Sequence, residues 1–182
     1  MSAPINVVLK SGAEVSLEVW QKQYGLEVGS DQLGKYFAAT ESRFAKDIQE
    51  FGFLYVNELL MRVLDEFRET VRQSVRINSF NRSAQKQAEL KAAGYKTATH
   101  SPHMVFMAAD IDTNSYEQSR AWAMVMQRVA IDLKIKVRIG YKQYIEAEQT
   151  FIHVDVCPEY YAPGKPFHNR PHPAAWEQVI NW

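Results

Sequence analysis

Near the middle of the chain an aspartate sits where an apolar residue is due. Residues 105–111, VFMAADI, read as a buried strand. Side chains alternate faces along a strand, so Phe106, Ala108 and Asp110 share one side. A lone carboxylate on an apolar side is costly to bury, and the chain must fold so as to bring it a partner. Two histidines can serve. His103 precedes Asp110 in SPHMVFMAADID (101–112), and His153 lies later, in the short apolar run FIHVDV (151–156). Two imidazoles and a carboxylate suit zinc in a site with three protein ligands and one position open to water. The competing reading is a metal-free polar cluster, because a histidine met singly in an apolar run is more often a satisfied core residue than a ligand.

The spacing of Ser101, His103, Ala108 and Asp110 resembles the S-x-H-x-x-G-x-A-x-D signature of the M15 peptidases. These are the zinc D-alanyl-D-alanine carboxypeptidases and LAS-type endopeptidases that cut peptidoglycan stem peptides. His153 and Asp155 match the H-x-D ending of the family's endopeptidase-like branch, and SFNRS (79–83) is similar to its S-G-Y-R-S segment. The three motifs fall in the family's order across residues 40–157. The resemblance implies a hedgehog/DD-peptidase-like α+β fold, Zn2+ held by His103, Asp110 and His153, and a peptidoglycan peptide as substrate.

Around these ligands the residues carry further expectations. Asp155 shares a strand face with His153, so it can orient that ring, hold a metal-bound water or take its proton. Other branches of the family place the base three residues before the last histidine. Here that position is Thr150, which cannot act as one. Glu148 and Glu146 are the other nearby carboxylates, although a solvated loop charge is the commoner state of a glutamate. Arg82 occupies the family's arginine, whose planar fork suits a substrate carboxylate or carbonyl oxygen, and a plain ion pair is the alternative. Ser101 can support a ligand or the substrate, or only form a turn before Pro102. Phe106 stands where the family has glycine, which implies either a different local turn or a ring that narrows the site. His100 reads as a loop histidine or substrate contact, His168 and His172 as exposed residues of the tail, and Tyr141 and Tyr144 as core or cleft lining.

Charge excludes some alternatives. Lys plus Arg and Asp plus Glu each total 21, so no broad basic field marks a nucleic-acid or anionic-membrane partner. The one cysteine, Cys157, cannot form an internal disulfide. The N-terminus lacks the basic and apolar regions of a Sec signal, and no run reaches the roughly 20 apolar residues of a membrane span. Synthesis in the cytoplasm without a Sec signal, followed by action on the cell wall after release or carriage by a phage, is the corresponding expectation.

At 182 residues the chain is expected to form one domain. Residues 1–30 would be an N-terminal arm or hairpin, 31–157 the peptidase-like core, and 158–182 a proline-rich tail. INVVLK and AEVSLEVW read as strands around Ser11-Gly12, and residues 31–51 as one or two short helices. Phe53, Val56, Leu60, Leu64, Phe67 and Val71 recur at helical intervals, predicting one long core helix. VRINSF (75–80) predicts a strand, residues 84–93 a helix closed by Gly94, and Ser115 with Gln118 a capping box ahead of a stripe at Trp122, Val125, Val129 and Leu133. IKVRIGY (135–141) and QTFIHVDV (149–156) predict an antiparallel pair, and residues 174–180 a short terminal helix. The function expected is zinc-dependent hydrolysis of an amide bond in peptidoglycan. The rival is a non-catalytic binding or structural module with the same fold, as in a phage particle.

Overall fold

A computed structural model describes residues 4–95, 101–156 and the strand Trp176–Val179. His100, Cys157, His168, His172 and the tail prolines lie outside the described residues. The chain forms two sheets and a set of helices, an α+β arrangement with a central antiparallel sheet packed against helices.

The first sheet is built from the N-terminus. Strand β1 (Ile5–Val8) pairs antiparallel with β2 (Glu14–Ser16) and parallel with β3 (Leu54–Asn57). The expected hairpin is therefore present, with its second strand cut short. Ser16 caps helix α1 (Leu17–Tyr24) by accepting from the Val19 amide at 3.4 Å, and a side chain that satisfies an orphan amide starts a helix there. Residues 25–41 form a loop, so of the one or two short helices expected over 31–51 one is present, in the second half of that stretch. Asp65 holds this loop by accepting from the Lys35 and Tyr36 amides at 2.8 and 3.2 Å and from the Tyr24 hydroxyl at 2.7 Å. The loop passes so close that a Cβ on Gly34 would lie 2.6 Å from an Asp65 oxygen. Helix α2 (Ser42–Phe51) follows.

The long core helix is shorter than its apolar spacing predicts. Phe53 and Val56 precede it, Val56 within β3, and α3 spans Glu58–Val71. Asn57 sets the boundary: its side-chain oxygen accepts from the Leu59 and Leu60 amides at 3.0 and 3.3 Å, which favours a helix start over a continuing one. Leu60, Leu64 and Phe67 are buried, as predicted for that face. Phe67 meets Trp122 of α5 (Tyr116–Leu133) edge to face, with centroids 5.3 Å apart. Each such side chain, buried against its neighbours, contributes on the order of 1.5–3 kcal/mol.

The second sheet has the order β4-β5-β7-β6-β8, all antiparallel: β4 (Ile77–Ser79), β5 (Ala108–Asp112), β6 (Arg138–Gly140), β7 (Phe151–Asp155) and β8 (Trp176–Val179). Helix α4 (Ala84–Ala92) follows β4, and the short α6 (Lys142–Glu146) joins β6 to β7. Residues 176–179 are thus a strand where a helix is expected. Pairing with β6 gives its backbone groups partners, and that outweighs a weak local helical preference. Ala109, Ile111, Ile152, Val154 and Ile139 are buried in the apolar core. Alternation sends Asp110, His153 and Asp155 to the opposite face.

Candidate metal centre

Register brings two of the three expected ligands together. Asp110 lies directly across from His153 in the β5–β7 ladder, and Ala108 across from Asp155. Directly opposed side chains on one face approach to about 5 Å at Cβ, and here His153 Nδ1 is 2.7 Å from Asp110 Oδ1. The third expected ligand, His103, comes from the turn ahead of β5. Pro102–Val105 forms a 3₁₀ turn, capped by Ser101, whose hydroxyl accepts from the His103 amide at 3.4 Å. Phe106 closes it with φ at 59°, the left-handed region in which glycine is at ease. Phe106 therefore lies in the turn, ahead of β5 (Ala108–Asp112), and not on the strand face expected to carry it with Ala108 and Asp110. Its ring stacks on Tyr55 at 4.9 Å and meets Phe53 edge to face at 6.3 Å.

His103 Nε2 lies 3.2 Å from Asp110 Oδ2 and 3.3 Å from His153 Nδ1. His103, Asp110 and His153 are all buried, at 2%, 7% and 3% exposure, and each offers an atom within 4.8 Å of the others'. Ligand atoms about 2.0–2.1 Å from a tetrahedral zinc lie roughly 3.3 Å apart, so two of the three separations already match.

The outer edges of both imidazoles decide what their inner edges carry. His103 Nδ1 donates to the Phe80 carbonyl at 2.6 Å. His153 Nε2 faces the carboxylate of Asp155 at 3.2 Å. A neutral imidazole has one N–H, and a carbonyl or carboxylate can only accept. With the proton on the outer nitrogen of each ring, His103 Nε2 and His153 Nδ1 both turn lone pairs toward the Asp110 oxygens. Buried acceptors facing one another need a cation between them. A metal ion meets that need with all three donors. A proton on His153 Nδ1 meets it with two, leaving His103 Nε2 against Asp110 without a hydrogen.

The ionisation of the groups follows from the same contacts. Burial lowers His103 below the ordinary histidine value, against the pull of Asp110. For His153 burial acts downward too, but its hydrogen bonds to Asp110 and Asp155 outweigh it and raise the ring. Burial would raise both carboxylates, yet the two histidines hold Asp110 well below the usual range, and Arg138 followed by His153 holds Asp155 at about 2.

The remaining expected residues are placed as follows. Arg82 lies beside the cluster: its Nη2 donates to Ser79 at 2.8 Å and reaches Asp110 Oδ2 at 3.5 Å, its Nη1 donates to Gln87 at 3.0 Å, and its amide donates to the His103 carbonyl at 3.1 Å. Asp155 lies against the outer edge of His153, fully buried and gripped by Arg138 through Nε at 3.1 Å and Nη2 at 2.6 Å. Glu148 and Thr150 are exposed in the turn ahead of β7, Glu148 with φ at 57°. Among the described residues neither joins the buried group. Tyr144 packs against Phe151 at 3.9 Å. Tyr141 is half-buried against the core. Ser79 and Phe80 fall inside the SFNRS segment without an expectation of their own, and Gln87 and Arg138 lie outside the motifs. Arg138 left a trace, as a charge alternating with Val137 and Ile139 opposite a strand that carries Asp155.

No family model matches the chain, and no curated protein sequence matches it. A similar solved structure is the L-Ala D-Glu endopeptidase ChiX of Serratia marcescens. It has 18% identity and a TM-score of 0.51, over 66% of this chain and 90% of that one. At that identity the likeness is one of fold, and the fold is that of a peptidase whose architecture this chain shares over most of its described length.

Proposed function

We propose that this chain is a zinc-dependent peptidase that hydrolyses an amide bond in the stem or cross-link peptides of peptidoglycan. The observation that carries the reading is the convergence of three buried donors, with both imidazoles' outer nitrogens already engaged, on one point in a fold shared with an endopeptidase. When bound, zinc would polarise the scissile carbonyl and bring the pKa of a coordinated water to about 7. His103, Asp110 and His153 would hold it, a set of three protein ligands of the kind that leaves a position for water or substrate. Arg82 places a guanidinium beside Asp110, and in this reading it meets a substrate carboxylate or the polarised oxygen by exchanging its contact with Gln87 or Ser79. Ser101 fixes the turn that delivers His103. Delivery to the wall by release from the cell, or within a phage particle, belongs to the same reading. No helix among the described residues is long and apolar enough to cross a membrane.

Three observations favour a second reading, a metal-binding module without catalysis. Thr150 stands where other branches of the family place a carboxylate, Glu148 is exposed, and Asp155 is engaged with Arg138. Incubation with purified sacculi, followed by mass spectrometry of the soluble fragments, decides between the two. A defined peptide bond cut by the zinc-loaded protein, and spared by His153→Ala, supports the peptidase. Zinc bound at one ion per chain with intact sacculi supports the module.

A further inference from the structure

We infer that Asp155 and Arg138 form a positioning device that selects the ring tautomer of His153, and that Asp155 is not the group that moves the proton in hydrolysis. The inference deepens the zinc-site reading and rests on it for its meaning. Arg138 lies across from Asp155 in the β6–β7 ladder, and Gly140 across from His153. The pair is fully buried, and both carboxylate oxygens contact the guanidinium, at 3.1 and 2.6 Å. A two-point grip of that kind fixes the plane of the carboxylate as well as its charge. The Asp155 oxygen bound to Nη2 also faces His153 Nε2 at 3.2 Å.

The geometry assigns direction. Both ring nitrogens face a carboxylate, Nδ1 that of Asp110 at 2.7 Å and Nε2 that of Asp155 at 3.2 Å. With a metal ion held at Nδ1 the proton of His153 is left to Nε2, where Asp155, kept in plane by Arg138, accepts it. Asp155 and the ligand cluster lie on opposite edges of one imidazole, so the ring stands between Asp155 and any water on the metal. A general base must come within hydrogen-bond reach of the proton it takes, directly or through one water. A fully buried carboxylate behind a ligand ring does not. Carboxylates that orient metal-binding histidines in this way typically contribute a factor of about 10–100 in metal affinity.

The test compares zinc affinity, by competition with a chromophoric chelator, with the protonation pattern of the His153 ring, by nitrogen-15 NMR at alkaline pH. In the zinc-loaded wild-type chain the ring proton is expected on Nε2. Asp155→Asn is expected to bind zinc about 10- to 100-fold more weakly and to shift the His153 ring signals, with Arg138→Lys between it and the wild type. Should Asp155→Asn not fold, the double variant Asp155→Asn, Arg138→Gln, which leaves no unpaired buried charge, takes its place with the same expectations. A folded variant with wild-type zinc affinity and an unchanged ring signal overturns the proposal. So does loss of hydrolysis with zinc affinity intact, since that would make Asp155 the proton carrier. A wild-type chain that binds zinc but cuts nothing sinks the peptidase and leaves the positioning role standing. A wild-type chain that binds no zinc sinks the metal centre, and the ring signal alone then decides the role of Asp155.

Discussion

Phe106 occupies a left-handed conformation, φ 59°, that costs a residue with a side chain about 1–2 kcal/mol. Its ring compensates by stacking on Tyr55, an aromatic contact contributing about 0.5–1.5 kcal/mol beyond its buried area. Two substitutions separate these effects. Phe106→Ala keeps the strain and loses the ring, so it is expected to cost about 2 kcal/mol in urea denaturation. Phe106→Gly relieves the strain and should cost about 1 kcal/mol less than alanine. Glycine proving the more damaging of the two would show that the backbone there is not strained. At this scale the meeting of His103, Asp110 and His153 in one buried group was legible, because a buried carboxylate demands polar partners of particular kinds. The partners of the outer ring nitrogens were less so. One of them is the Phe80 carbonyl, and every residue has a carbonyl.

Helix α3 illustrates what an apolar period alone does not resolve. Phe53 and Val56 fit the same stripe as Leu60 and Leu64, and only the capping contact of Asn57 separates strand from helix. Asn57→Ala is expected to cost about 1 kcal/mol, with loss up to about 2 because the position is nearly buried. A chemical-denaturation midpoint that does not move would show that packing alone sets the boundary. Capping pairs elsewhere were readable: Ser115 accepts from the Gln118 amide at 3.2 Å, at the place the box predicts, and α5 presents Trp122 and Val129 to the core. The terminal strand β8 was not readable, because its partner β6 is remote in sequence and pairing, rather than propensity, decides its state.

Across the whole molecule, buried ionisable groups tie the fold to pH and to metal. Asp155, with a native value of about 2 against an ordinary 3.8, stabilises the fold fully above 3.8 and loses that contribution as pH falls toward 2. Asp110 shifts the same way. His103, held below its ordinary 6.5, adds a penalty as the unfolded chain takes up a proton below 6.5. His153 is raised, so its contribution is full below 6.5 and fades as pH rises through its native value. Metal-free protein is therefore expected to lose stability on the acid side, with about 2 kcal/mol of the loss below pH 3.8 due to Asp155. Urea midpoints for wild type and Asp155→Asn that fall in parallel there would refute this. Zinc at a hundred times its dissociation constant should stabilise the fold by about 2.7 kcal/mol, a rise in Tm of roughly 5–10 °C, absent in His103→Ala. The α+β class was legible from the alternation of elements, whereas the parallel pairing of β1 with β3 was not, since no local signal names a strand's distant neighbour. The direct opposition of Asp110 and His153 also limits how this protein can diversify. Slipping β7 by a single residue would turn His153 and Asp155 inward and Ile152 and Val154 outward at one stroke. Insertions of one residue in the connections are therefore expected to leave the buried group intact, while the same insertion inside FIHVD is expected to dismantle it.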